Sequence, residues 1–158
     1  MEDREWWIRP YDGREDRAAV LSFQRETYEL NFPDFVWSTS FIRDFERILK
    51  MAERDPSEGL FVCEDATGRT AGFVWSSVSM RRFEGGQSVC TIKDMYVVPD
   101  LRGQGVGMAL MQAAEDFARR WKASRMALEV TVANRAAVRL YEKAGFTPTR
   151  YQMEKRLD

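Results

Sequence analysis

The sequence predicts an α/β domain of the α+β kind, with a mixed, mostly antiparallel sheet flanked by about four helices. Three observations carry this reading. Residues 60–98 alternate with a period near two and are broken by tight turns, which reads as consecutive hairpins. Residues 105–121 space their apolar side chains by four, three, four and four, the stripe of an amphipathic helix. A second strand-like run, 126–132, is followed directly by a helix-like one, 134–144.

In chain order, residues 5–11 (EWWIRPY) read as a first strand that ends at the turn signal Asp12-Gly13. From Glu15 to about Leu30, Ala19, Val20, Phe23, Tyr28 and Leu30 mark a helix, which Asn31-Phe32-Pro33-Asp34 breaks. Ser38 or Thr39 caps a second helix, whose apolar face carries Phe41, Ile42, Phe45, Ile48, Leu49 and Ala52. Asp55-Pro56-Ser57 and Gly59 end it. LFVCED (60–65), the turn ATGR (66–69) and TAGFVWSSVSM (70–80) form a hairpin. Glu84-Gly85-Gly86 turns the chain into a long strand, 87–98, that stops at Pro99-Asp100. Residues 105–121 are helical on the steps of Val106, Leu110, Ala113, Phe117 and Trp121. MALEVTV (126–132) reads as a strand, and Asn134 caps a helix closed by Gly145. A last extended segment covers 146–156. No repeat, low-complexity tract or linker interrupts the pattern, so residues 1–158 read as one domain.

Composition removes several functions. Twenty-four basic and 25 acidic residues give a net charge of −1, which does not favour a nucleic-acid partner. There is no histidine, hence no Ser-His-Asp triad, no Cys-His pair and no imidazole base. Two cysteines, Cys63 and Cys90, cannot supply a thiolate zinc site or a disulfide framework, so no metal is expected, and both read as buried strand residues. The charged N-terminus lacks the apolar run of a signal peptide and no stretch is long enough to span a bilayer, so the expectation is a cytoplasmic protein without a membrane partner.

The chemistry concentrates in Val97-Val98-Pro99-Asp100-Leu101-Arg102-Gly103-Gln104-Gly105-Val106-Gly107, which joins a strand to a helix. Glycines at 103, 105 and 107 let a ligand approach the backbone. The amides at the helix start have no intrahelical acceptor, and with the helix dipole they favour a phosphate or pyrophosphate, to which Arg102 adds charge. The run contains no P-loop lysine, and the third glycine of a dinucleotide fingerprint is replaced by Met108.

Arg102-Gly103-Gln104-Gly105-Val106-Gly107 resembles the Arg/Gln-x-x-Gly-x-Gly/Ala motif of the GCN5-related N-acetyltransferase (GNAT) family. Asn134 to Phe146 (NRAAVRLYEKAGF) is similar to the family's second signature, Asn-x-x-Ala-x-x-Leu-Tyr-x-Lys-x-Gly-Phe. The strong similarity covers about residues 90–147. The resemblance implies a twisted six- to seven-stranded sheet with a splay between the strands at 87–98 and 126–132, and acetyl-CoA as cosubstrate. It implies that amides from Arg102 through Gly103, Gln104, Gly105, Val106 and Gly107 to Met108 hold the pyrophosphate. It also implies that Met95 and Val97 pair with the pantetheine arm, that Asn134 contacts that arm or caps its helix, and that Tyr141 protonates the departing thiolate. A phenol of ordinary pKa ~10 is protonated at neutral pH and suits that role.

The base stays open between Glu129, Asp94 and water, since an attacking amine must lose a proton and a carboxylate of ordinary pKa is weak for the task. Glu129, Asn134 and Tyr141 share a spacing with family members that acetylate protein N-termini. In the family the acceptor pocket is lined by the first two helices and their loop. Here that implies Tyr28, Phe32, Phe35 and Trp37, an aromatic set with Glu29 and Asp34 suited to a cationic amine. The turn from Arg81 to Gly86 either borders the pocket, forms a dimer contact or is solvated. The expected function is acetyl transfer to a small-molecule amine. A protein N-terminus or lysine, and a CoA-binding module without turnover, stand as alternatives. Family members often form homodimers.

Overall fold

The computed structural model describes residues 5–32, 34–81 and 85–157. Its sheet has five strands in the order β1-β2-β3-β4-β5. These are β1 (Trp6–Pro10), β2 (Glu58–Asp65), β3 (Thr70–Arg81), β4 (Gln87–Val97) and β5 (Arg125–Ala127). The first four pair antiparallel with their sequence neighbours, as the hairpin signals require, and β5 joins β4 in parallel. Four helices accompany them: α1 (Arg17–Asn31), α2 (Thr39–Ala52), α3 (Val106–Arg120) and α4 (Arg135–Lys143).

Adjacent residues of β3 show how the helices are layered. Phe73 stacks on Phe23 of α1, with ring centroids 6.2 Å apart. A Cβ on Gly72, the preceding residue, would come within 3.6 Å of Leu110 of α3. Successive side chains of a strand point to opposite faces, so α1 and α3 cover opposite sides of the sheet. Gly59 of β2 serves the α3 side: a Cβ there would lie 2.6 Å from the Phe117 ring, so only glycine lets α3 settle this close. The core contains Val20, Leu49, Val62, Phe73, Val74, Val106 and Leu110, all essentially inaccessible.

Between β1 and α1 the fold encloses a fully buried carboxylate. Asp16 accepts from Arg9 at 2.7 and 2.9 Å, from the Thr70 hydroxyl at 2.6 Å and from the Asp12 amide at 2.8 Å. A buried charge with four donors is satisfied rather than stranded. Ser38 caps α2 by accepting from the Phe41 amide at 3.2 Å, as the sequence indicates.

The sheet departs from expectation at its end. The predicted six to seven strands are five, because the run at 126–132 supplies only the three-residue β5 and 146–156 joins no ladder. The alternating pattern of both runs is a property of their side chains, and a ladder also needs a neighbouring backbone. After Ala127 the chain leaves β4, and it turns where the Asn134 amide donates to Thr131 O at 2.9 Å. Pro33 and the centre of the turn from Arg81 to Gly86, residues 82–84, lie outside the described residues.

Candidate active site

The divergence of β4 and β5 defines the site. Their parallel pairing is limited to Val89–Arg125, Cys90–Met126 and Thr91–Ala127. Beyond it, residues 92–97 of β4 keep β3 on one side and have no strand on the other. Met95 and Val97 lie in this stretch, where an edge with no neighbouring strand can receive an extended ligand, although the Met95 amide already bonds Asp94 and Val97 O already accepts from Arg102.

Just beyond β4 the chain makes one 3₁₀ turn, Pro99–Leu101, and then the glycine run that starts α3. Gly103 and Gly105 have φ of +76° and +86°, a region that favours glycine, and a Cβ at either would meet nothing within 4 Å. The turn therefore opens onto free space at the start of α3, where no side chain caps the first amides. Gly107 has a different task. A Cβ there would sit 3.0 Å from Leu140 of α4, so its absence brings the two helices together. Arg102 is anchored by donating from Nε to Val97 O at 2.9 Å, and its guanidinium lies 5.5 Å from the Tyr96 ring centroid. Gln104 braces the turn by donating to Asp100 O at 2.9 Å. An open backbone nest, a helix start and a positioned arginine fit a diphosphate.

Further along the slot, the structure brings Asp94 and Tyr141 together. A bulge opposite Trp75–Ser76 leaves Lys93 without a partner, which re-aims Asp94. Lys93 points outward to Glu58 at 3.1 Å. Desolvation pushes the Asp94 carboxyl up to about 6, against the opposing effect of hydrogen bonds from the Gln24 side chain and the Met95 amide. Tyr141, on α4, is raised above its ordinary value first by burial and then by the nearby Asp94 charge. Its ring meets Phe146 edge-on at 6.2 Å.

Gln24, which bonds the candidate Asp94, went unnamed in the sequence reading. It is 2% exposed, and its Oε1 has no hydrogen-bond partner. Its spacing of four from Val20 places it on the buried stripe of α1, a signal that was available. Glu129 lies in the exposed segment after β5, and Asn134 uses its side chain to accept from the Ala137 amide at 3.2 Å, the capping role.

The aromatic set forms a cluster between α1 and α2. Tyr28 is its hub, with ring centroids of Phe32, Phe35, Trp37, Phe41 and Phe45 at 5.2, 5.6, 5.8, 5.5 and 5.3 Å. Arg25 lies 5.6 Å from the Trp37 ring, whose buried Nε1 has no partner. These rings contact one another, and the cluster extends to Phe41 and Phe45 of α2 beyond the four residues named from sequence.

Cys63 and Cys90 are buried free thiols, and burial raises both, Cys63 to about 11, the opposite of an activated nucleophile. Among the described residues no cluster of three acidic or thiol side chains is arranged for a metal, and no helix is long and apolar enough to cross a membrane.

Residues 19–146 match the model of the acetyltransferase (GNAT) family, most of the chain, and the protein belongs to that family. Within the family, the chain is 39% identical over 92 residues to streptothricin acetyltransferase of Streptomyces lavendulae, covering 58% of this chain and 46% of that protein. It is 30% identical over 145 residues to mycothiol acetyltransferase of Saccharomonospora viridis, covering 88% of this chain and 45% of the relative. The chain thus spans less than half the length of these relatives. Among solved structures, a putative acetyltransferase from Pyrococcus furiosus superposes with a TM-score of 0.76 at 26% identity, covering 97% of this chain and all of that one. An aminoglycoside 6'-N-acetyltransferase from Acinetobacter baumannii shares the fold, with a TM-score of 0.74 at 15% identity over 97% of this chain and 98% of that one.

Proposed function

We propose that the protein transfers an acetyl group from acetyl-CoA to a primary amine by direct attack, and that the acceptor is a small molecule. The observation that carries the reading is the succession of the open glycine nest at residues 103–105, the stretch of β4 with no outer strand, and the Asp94–Tyr141 pair. The nest and Arg102 suit the diphosphate of the donor, and the edge of β4 at Met95 and Val97, which has no neighbouring strand, suits the amides of its arm. Bound acetyl-CoA supplies the thioester.

The chain's own residues then divide the proton work. Asp94, ionised above about pH 6, takes the proton that the attacking nitrogen must lose. A backbone N–H of the splayed strand stabilises the charge that develops on the thioester oxygen. Tyr141, protonated across the neutral range because burial raises it, gives its proton to the sulfur as the carbon–sulfur bond breaks. Asp94 is favoured over Glu129 because it faces Tyr141 inside the fold, whereas Glu129 is exposed on the segment after β5.

Support for a small acceptor comes from the relatives, whose names are those of streptothricin and mycothiol acetyltransferases. The aromatic cluster around Tyr28 would offer ring faces to an acceptor's apolar body, with Glu29 and Asp34 close in sequence. The test follows thiol release from acetyl-CoA against a panel of aminoglycosides, amino sugars, polyamines and peptides. Stimulation by a small amine is expected. Stimulation by peptides alone would move the acceptor to protein, and tight CoA binding without stimulated release would leave only a binding module.

A further inference from the structure

Buried polar atoms almost always have a hydrogen-bond partner, and among the described residues two side-chain atoms do not, Gln24 Oε1 and Trp37 Nε1. Trp37 belongs to the aromatic cluster, whereas Gln24 belongs to the Asp94 site. Helix α1 is seated on β4 by the residues on either side of Gln24. Phe23 stacks on Tyr96 with ring centroids 4.6 Å apart, and Glu26 accepts from the Tyr96 hydroxyl. Tyr96 and Asp94 lie two apart in a regular stretch of β4, so both face α1. Gln24, 2% exposed, donates its amide nitrogen to Asp94. Nitrogen and oxygen of an amide share one carbon. The orphan oxygen therefore lies where one ligand atom can reach it and the Asp94 carboxylate together. Burial strips that oxygen of water, and only a donor restores the loss.

We propose, resting on the acetyl transfer inferred above, that Gln24 Oε1 accepts the second N–H of the attacking amine, so that Gln24 and Asp94 together select primary over secondary amines. A neutral primary amine carries one lone pair and two N–H groups. The lone pair forms the bond to the thioester carbon. The carbon–sulfur bond breaks with its electron pair left on sulfur, which takes the Tyr141 proton. One N–H proton passes to Asp94, and the other stays on the nitrogen of the product amide. It is this second hydrogen that Gln24 holds. Asp94 gains one proton and Tyr141 loses one, so the charges balance. A secondary amine has a single hydrogen, which Asp94 must take. Gln24 Oε1 is then left unpaired, with a carbon pressed against it where a hydrogen belongs. A site built around a donor of its substrate rejects the analogue that lacks that donor.

Matched acceptors test the assignment: phenethylamine, putrescine and glucosamine, each beside its N-methyl form, followed by thiol release from acetyl-CoA. Rates are compared at about pH 9, where Asp94 is ionised with or without its bond from Gln24. The wild type is expected to prefer the primary amine by about tenfold or more in kcat/KM. Gln24→Ala removes the oxygen and leaves room for a methyl group. The primary amine should then lose about tenfold or more, and the N-methyl amine should gain over its wild-type rate, so that the preference collapses. A merely structural Gln24 would lower both rates together, and a preference that survives in Gln24→Ala overturns the proposal. So does a wild type that turns over both members of a pair equally well. If thermal unfolding shows Gln24→Ala unfolded, Gln24→Met replaces it, filling the volume without the acceptor. There the primary amine alone should lose rate, and a retained preference again overturns the proposal. Acetyl-CoA binding with no release by any of the six amines contradicts the transfer itself, and the assignment of Gln24 falls with it.

Discussion

At the scale of single residues, the proposed transfer rests on Asp94 and Tyr141. Tyr141→Phe removes the proton donor and leaves the ring in place against Phe146. It should lower kcat by about 100-fold or more while leaving acetyl-CoA affinity nearly unchanged, measured by thiol release beside calorimetric binding. Asp94→Asn separates catalysis from stability. The folded carboxyl titrates near 6 against an ordinary value near 3.8, so the native state holds its proton more tightly than the unfolded chain. Stability is therefore lost as pH rises from about 4 through 6, and above that window the buried charge is a standing cost. Asp94→Asn should raise stability at pH 8 by on the order of 2 kcal/mol, lose that advantage below pH 4, and flatten the acid limb of the rate profile near 6. Asp16 gives the opposite sign. Burial alone would raise it, yet the bonds from Arg9, the Asp12 amide and Thr70 leave it lowered. Its contribution is present above about pH 4 and is lost as the pH falls through its folded value. Asp16→Ala should destabilise at neutral pH by about 3 kcal/mol in chemical denaturation, because it removes the two bonds from Arg9, which keeps Glu64, and leaves the Thr70 hydroxyl and the Asp12 amide without their acceptor.

At the scale of elements, the proposed donor site lies at the junction of β4 and α3, and its two kinds of glycine should respond differently. Gly105→Asp combines a backbone at φ +86° with an anion in the nest, and should abolish acetyl-CoA binding in a protein that still folds. Gly107→Ala has ordinary backbone but meets Leu140, so it should loosen α4 and lower the melting temperature more than it weakens the donor, read by thermal unfolding with and without CoA. Most of these elements were legible in the sequence, because periods of two and of three to four survive any packing. The glycine run stood out as a candidate diphosphate site because its glycines, its place before a helix and its arginine are all visible in the sequence. What the letters did not carry was partnership. MALEVTV alternates like a strand whether or not a neighbour lies beside it, and only the structure shows that pairing stops at Ala127. Gln24 went unremarked in the sequence because a polar side chain on a buried stripe is easily set aside as an exception.

At the scale of the whole molecule, the proposed chemistry lies where the sheet opens. α3 and α1 pack on opposite faces, and the departure of β5 from β4 leaves a free backbone edge between them in which Asp94 meets Tyr141. The absence of histidine acquires a structural meaning here. In the proposed mechanism the proton acceptor near neutral pH that an imidazole would supply is Asp94, whose burial moves it up to about 6 against the opposing bond from Gln24. The central claim is acetyl transfer at this opening, and the most direct measurement is the rate of thiol release from acetyl-CoA with and without amines, in the wild type and in Tyr141→Phe. The account predicts release stimulated by a small amine in the wild type and lost in the variant, with acetyl-CoA still bound by both. Acetyl-CoA binding with no amine-stimulated release in the wild type, or equal release by the two proteins, would contradict it.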